Sequence, residues 1–123
     1  QGSGALPMSG TIKKFTKGNY ILAGDSAGMV LPSNGAGITT AMIGGRIAGQ
    51  AIANYINKGK SLSEYERNWK KQMGKMMTYS KRGMKWGEIM FNSPDWLVDA
   101  TFNSFTKSFI WRAVNCRPVL GIY

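Results

Sequence analysis

The sequence predicts a mainly α-helical chain with a short β element near its N-terminus. Three observations carry this. One brief apolar run, Tyr20-Ile21-Leu22-Ala23, is bounded by turn residues and has the length of a strand. Small and apolar residues then dominate residues 36–57 with no proline to interrupt them. From residue 61 to about residue 91, apolar side chains recur at steps of three and four, the period of a helix with one buried face.

Taken in order, residues 1–19 read as extended or looped, punctuated by Gly4, Pro7, Gly10 and Gly18, with a weak strand signal from Thr11 to Phe15. The turn Lys17-Gly18-Asn19 feeds the Tyr20 strand, which its apolar run marks as buried. In the helix predicted over 36–57, Ala41, Gly44, Gly45, Ala48 and Gly49 leave almost no bulk on one side. Each interior glycine costs about 1 kcal/mol relative to alanine, so close approach of a sheet or a cofactor is expected to offset it. Asn57-Lys58-Gly59-Lys60 ends that helix with cations in its last turn and a glycine just beyond.

Ser61 or Ser63 then caps a long helix, and Ser61 with Glu64 has the capping-box spacing. Its stripe runs through Leu62, Tyr65, Trp69, Met73, Met76 or Met77, Ser80, Met84, Gly87 and Phe91. Core packing is the reading for Tyr65, Trp69 and Met73, whereas the later methionines could line a greasy channel, methionine being adaptable to irregular apolar surfaces. Ser93 as N-cap with Pro94 at the first helical position starts a helix to about Phe105. Lys107–Val114 is a further helical segment, ended by Arg117-Pro118. Trp96, Phe102, Phe105, Phe109 and Trp111 read as core or inter-helix contacts.

At 123 residues the chain is one domain at most by ordinary domain sizes. Histidine is absent and Cys116 is alone, so the composition excludes a disulfide framework and a Cys/His zinc site. Cys116 reads as a small buried or tail thiol. The formal net charge is +10, and from Lys58 to Lys85 nine Lys or Arg stand against Glu64 and Glu66. An anionic membrane surface, nucleic acid or plain solubility each account for such a balance. No nucleic-acid motif accompanies it, so nucleic acid is not the expected partner. A basic helix rich in Met and Trp can rest at a lipid interface, although runs of charge are more often solvated faces. No span of about 20 apolar residues exists, because Arg46, Gln50 and Asn54 interrupt the best candidate, Gly35 to Ile56. The expected location is cytoplasmic, with at most a peripheral contact with a membrane.

Chemistry concentrates between Tyr20 and Met42. Gly24 permits a turn or a close approach that a side chain would hinder. Asp25 sits at the strand's carboxyl end, where ligands of open α/β sheets gather, and its carboxylate only accepts hydrogen bonds. The amides of Gly35 to Ile38 open a helix whose dipole favours negative charge. A carboxylate beside such amides suits a polyol and an anionic ring edge, the two features of a flavin. The same residues also admit a plainer reading. Asp25 or Ser26 could cap a turn, Asn34 could cap the helix, and Gly35 and Gly37 could be loop glycines. A phosphate loop fits poorly, since its motif is absent and no lysine lies between Lys17 and Lys58.

Gly24-Asp25-Ser26-Ala27-Gly28, Pro32 and Gly35-Ala36-Gly37-Ile38 together resemble the second flavin-binding motif of the p-hydroxybenzoate hydroxylase-like FAD enzymes. Within that group, Ala41-Met42-Ile43-Gly44-Gly45-Arg46-Ile47-Ala48-Gly49 and Tyr65-Glu66-Arg67-Asn68-Trp69 are most similar to the geranylgeranyl reductase family. The likeness is strong over residues 20–57 and looser to about 91. It implies the C-terminal segment of an α/β FAD-binding, glutathione reductase-like fold. Residues 1–57 would close the FAD-binding domain with a strand, a flavin loop and a small-residue helix, and 58–123 would form a C-terminal helical region. The cofactor implied is FAD, bound by Gly24, Asp25, Pro32, Gly35, Ala36, Gly37 and Ile38. In the family, the aspartate matching Asp25 binds the ribityl chain. The loop matching Pro32 to Gly37 passes beside the ring, and the helix start meets its pyrimidine edge.

These enzymes saturate isoprenoid double bonds, with hydride from the flavin N5 and a proton on the neighbouring carbon. An isoprenoid lipid substrate follows from the resemblance, and the methionine-lined channel would hold part of its tail. The family's G-x-G-x-x-G fingerprint has no counterpart here, Gly2-Ser3-Gly4 lacking a suitable third glycine. The chain is therefore expected to be the C-terminal portion of a longer protein, inactive without its missing N-terminal part. Tyr65 and Tyr79 are possible proton donors, and the sequence favours neither. Other members of the flavin group, a monooxygenase or halogenase, share the motif. A basic helical module binding membrane or nucleic acid, with no chemistry, is the alternative of a different class.

Overall fold

The computed structural model describes residues 5–115. Among them a two-stranded hairpin and a 3-10 turn precede four α-helices. The strands are β1 (Thr16–Lys17) and β2 (Tyr20–Ile21), and the 3-10 turn spans Gly24–Ala27. The helices are α1 (Ile38–Lys58), α2 (Ser63–Phe91), α3 (Asp95–Ser104) and α4 (Lys107–Val114). The chain is thus mainly helical with a small N-terminal β element.

The hairpin is antiparallel, Thr16 opposite Ile21 and Lys17 opposite Tyr20, with Gly18-Asn19 as its turn. The first strand follows the Thr11–Phe15 segment rather than lying on it. The run Tyr20–Ala23 is not buried as its composition predicts: Tyr20 is 80% exposed, Leu22 is exposed and Ile21 is half-buried. A two-residue ribbon with a single partner has too little surface to cover its own faces.

Helix α1 begins at Ile38 rather than residue 36 because the preceding residues are tied into a loop. Leu31 N donates to Ala36 O at 2.9 Å, and Ala36 N donates to Asn34 Oδ1 at 3.1 Å. Asn34 therefore closes a local turn and does not cap the helix. The other end matches expectation. Gly59, at φ 61°, places its N–H on Tyr55 O while Lys60 N reaches Asn54 O, the left-handed closure that glycine favours.

A four-residue connection folds α2 back along α1, as in an antiparallel αα-hairpin. The core lies between them and under the preceding loops. Ile47, Ala48 and Ala51 of α1 meet Tyr65, Trp69, Met73 and Met77 of α2, with Phe15, Ala27, Met29 and Leu31 closing one side. Phe15 and Tyr65 pack edge to face at 5.0 Å. Each large apolar side chain sealed in this way contributes roughly 1.5–3 kcal/mol. Close approach along α1 occurs at Gly44, where a Cβ would stand 2.6 Å from Met29 Sδ and 3.5 Å from Trp69 Cζ3. It is side chains of the chain itself that fill the space, and at Gly45 and Gly49 nothing lies within 4 Å.

The capping box at the start of α2 does not form. Ser61 Oγ accepts from Ser63 N at 3.3 Å, but Glu64 turns instead toward Asn54 Nδ2, Lys60 and Arg67. Beyond Ser80 the apolar stripe loses its cover: Met84 is half-buried, Gly87 exposed and Phe91 95% exposed. Ser93 is not an N-cap, because its hydroxyl donates back to Ile89 O at 2.8 Å, and α3 begins at Asp95 behind Pro94. Trp96, Phe102 and Trp111 are exposed rather than core. Phe105 and Phe109 do pack together, stacked at 4.0 Å. Helix α4 has the expected bounds, with Thr106 Oγ1 accepting from Phe109 N at 3.3 Å. Gly2-Ser3-Gly4, Cys116 and Arg117-Pro118 lie outside the described residues. Among those described, no helix is long and apolar enough to cross a membrane.

Candidate functional site

The chain leaves β2 through Ala23 and turns at Gly24, whose φ of 68° is readily reached by a residue without a Cβ. The 3-10 turn that follows satisfies its own backbone: Gly28 N donates to Asp25 O at 2.9 Å and Met29 N to Gly24 O at 3.0 Å. Ser26 Oγ donates to Ala23 O at 2.8 Å, so neither Ser26 nor Asp25 serves as a side-chain cap. The Asp25 carboxylate is left exposed, without a hydrogen bond or ion pair to any described residue.

This turn packs against the first turn of α1. A Cβ built on Gly37 would lie 3.3 Å from Val30 Cγ2 and 3.5 Å from Asp25 Oδ1. One built on Gly24 would lie 3.7 Å from Ala41 Cβ. The buried Thr40 hydroxyl shares its proton between the carbonyls of Met29 and Gly37, which fixes the helix start to the strand exit. Carboxylate and helix entrance therefore face each other across one glycine.

The row of amides is shorter than the spacing implies. Gly35 N is engaged by Leu31 O at 2.9 Å and Ala36 N by Asn34 Oδ1. The N–H groups of Gly37 and Ile38 have no acceptor among the described residues, no side chain caps α1, and the helix N-terminus carries about half a positive charge. Ile38 itself is 82% exposed. Of the remaining predicted residues, Pro32 is fully buried beneath the loop, Gly35 faces Leu6 Cδ1, and Ala36 is exposed beside it. The structure thus gathers Gly24, Asp25, Gly37 and Ile38 at one surface. An unpaired acceptor beside open amide donors fits a ligand bearing both hydroxyls and an anionic edge.

What holds that surface in place was not singled out by the sequence. Glu66 Oε1 accepts from Phe15 N at 2.8 Å, Thr16 N at 2.9 Å and Thr16 Oγ1 at 2.7 Å. Burial pushes the Glu66 carboxyl up, but these hydrogen bonds and nearby Lys70 outweigh it and hold its pKa below the usual glutamate value. The neighbouring Tyr65 hydroxyl donates to Leu22 O at 3.1 Å, and burial raises its pKa to about 12. Two adjacent residues of α2 thus secure the start of β1 and the chain just past β2, which leads to the Asp25 turn. With its proton engaged inside the core, Tyr65 is structural and not placed to supply a substrate. Nothing local announced the Glu66 latch, whose partners lie 50 and 51 residues away.

Two hollows flank this framework. An apolar cavity of about 270 Å³ lies between the Leu31–Ala36 loop, Thr39 and Ile43 of α1, and Met73 and Met76 of α2. Met84 and Met90 do not line it. A more open groove of about 480 Å³ runs past Thr11, Lys13, Trp69, Lys70 and Met77. Among the described residues no group of three His, Cys, Asp or Glu could hold a metal ion.

Over 78 residues the chain is 41% identical to a digeranylgeranylglycerophospholipid reductase of Methanocella arvoryzae, covering 60% of this chain and 20% of that protein. It is 34% identical over 106 residues to digeranylgeranylglycerophospholipid reductase 2 of Methanothermobacter thermautotrophicus, covering 83% of this chain and 27% of that protein. A digeranylgeranylglycerophospholipid reductase of Methanocaldococcus jannaschii is 31% identical over 132 residues, with 98% and 33% covered. The chain spans between 20% and 33% of the length of these curated relatives. No family model matches it, and no solved structure does.

Proposed function

Because the chain is related to the geranylgeranyl reductases over up to 33% of a relative's length, we propose that it is the part of a flavin-dependent isoprenoid-lipid reductase that grips FAD. The observation that carries this reading is the Asp25 carboxylate oxygen, 3.5 Å from where a Cβ on Gly37 would stand, beside an uncapped helix start. Asp25 accepts from the ribityl hydroxyls, and the N–H groups of Gly37 and Ile38 meet the pyrimidine edge. Gly24 and Gly37 leave the backbone free of side chains where the ligand approaches. When bound, FAD supplies the hydride that saturates a carbon–carbon double bond. The chain's own contribution is to bind, orient and favour negative charge on the ring through the dipole of α1. The cavity by Ile43, Met73 and Met76 offers an apolar wall for part of an isoprenoid chain. The remaining contacts of an α/β FAD-binding domain belong elsewhere in a longer protein, so this segment is inactive alone.

The test is Asp25→Ala in the intact protein. Losing a hydrogen-bond acceptor that is charged costs about 1.5–3 kcal/mol, which weakens FAD affinity roughly 10- to 150-fold. Flavin absorbance after gel filtration, followed by titration of the stripped protein with FAD, measures this. Unchanged occupancy and affinity would remove Asp25 from the site.

A further inference from the structure

We propose that the outer face of α2, from Lys71 to Ile89, docks on an anionic lipid bilayer. Seven Lys or Arg lie between Arg67 and Lys85 with no Asp or Glu among them. The fold sorts them. Lys71, Lys75, Arg82, Lys85, Trp86 and Ile89 fall within about 100° of one another around a helix of 3.6 residues per turn. The buried stripe of Tyr65, Trp69, Met73 and Met77 occupies the opposite side. All six outer residues are exposed, Trp86 by 67% and Ile89 by 56%. Lys71, Lys75, Arg82 and Lys85 make no ion pair with any described residue. Glu88 lies three residues beyond Lys85 and about 60° from it around the helix, and makes no ion pair with any described residue.

A merely solvated helix face mixes signs and has no need of a bare tryptophan. This one is of a single sign and ends in apolar side chains, so its counter-charge must come from outside the chain. Lysine and arginine near an anionic leaflet lower the free energy of binding, and tryptophan prefers the headgroup level, where its ring is half wet. A duplex nucleic acid would satisfy the cations but leave Trp86 and Ile89 in water, which favours the bilayer. No described helix crosses a membrane, so the contact is peripheral.

The experiment is flotation of the intact protein with vesicles of phosphatidylcholine alone or mixed with phosphatidylglycerol. Binding to the anionic vesicles, lost with added salt and absent from the neutral ones, is expected. Lys71→Gln, Lys75→Gln and Arg82→Gln combined should lower the partition coefficient roughly a hundredfold, at about fivefold per cation. Trp86→Ala with Ile89→Ala should weaken binding while preserving its salt dependence. Lys13→Gln, Lys14→Gln and Lys17→Gln combined removes equal charge from the hairpin and should bind like the parent. All these side chains are exposed, so circular dichroism should stay unchanged. Equal binding to neutral vesicles, retention by the α2 triple variant, equal loss in the hairpin variant, or displacement by duplex DNA at matched phosphate would each overturn the proposal. Asp25→Ala should float normally, which separates this surface from the flavin reading.

Discussion

Met73 and Phe91 stand five turns apart on the same side of α2, yet one is 6% exposed and the other 95%. Nothing in their own helix distinguishes them. The difference is across the gap. Helix α1, at 21 residues, is about 32 Å long, whereas α2, at 29 residues, is about 44 Å. Antiparallel packing from the shared Gly59 end exhausts α1 well before α2. The Leu31–Gly37 loop extends the cover slightly, with Ser33 N on Ser80 Oγ at 3.0 Å and Ser33 Cβ 3.5 Å from where Gly83 would carry its own. Beyond that point α2 continues uncovered, and none of the residues of α3 is buried. Burial is thus a property of two facing elements, while periodicity belongs to one.

The strongest way to break this comparison is to truncate both regions. Trp69→Ala should cost about 3–5 kcal/mol in denaturant unfolding, because a fully packed indole leaves a cavity. Phe91→Ala should change stability by less than about 0.5 kcal/mol, as exposed positions do. Equal costs would show that the outer half of α2 is packed after all.

A smaller effect sharpens how the covered region is assembled. Glu66→Ala strands the Phe15 and Thr16 donors and should cost about 1–3 kcal/mol. It should also change the acid limb of stability. The folded Glu66 carboxyl titrates below its unstructured value of 4.5, so its contribution is whole above that pH. The contribution fades as pH falls through the lower folded value, and Glu66→Ala should flatten the corresponding part of a stability–pH curve.

The smallest test compares two adjacent glycines. Gly44→Ala sets a methyl group 2.6 Å from Met29 Sδ, an overpacking cost of about 1–3 kcal/mol reduced by about 1 kcal/mol of helix propensity. Gly45→Ala meets nothing within 4 Å and should stabilise by about 1 kcal/mol. Thermal unfolding of the two variants should move in opposite directions.

The features legible in the sequence were those whose causes are local. Gly59 closes α1 because a residue without a Cβ suits its backbone, and α4 keeps the bounds Lys107–Val114 that its own run of residues marks. Asp25 and Gly37 were legible as a pair through motif spacing, and the fold brings them together. The number of open amides was not, because Asn34 and Leu31 take two of them in a turn that competes with the helix. Nor was the Glu66 latch, or the bareness of Phe91, Trp96 and Tyr20. Each depends on what a distant part of the chain does or does not place opposite.

The absent methyl at Gly44 has a reach beyond packing. Met29 rests in that notch like a detent, immediately after the turn bearing Asp25. Sliding α1 by one turn, about 5.4 Å, would present the Cβ of Thr40 or Ala48 to the same sulfur and jam the movement. A single vacant substituent thereby sets the height of the whole rod, and with it the level at which its amino end meets the acid.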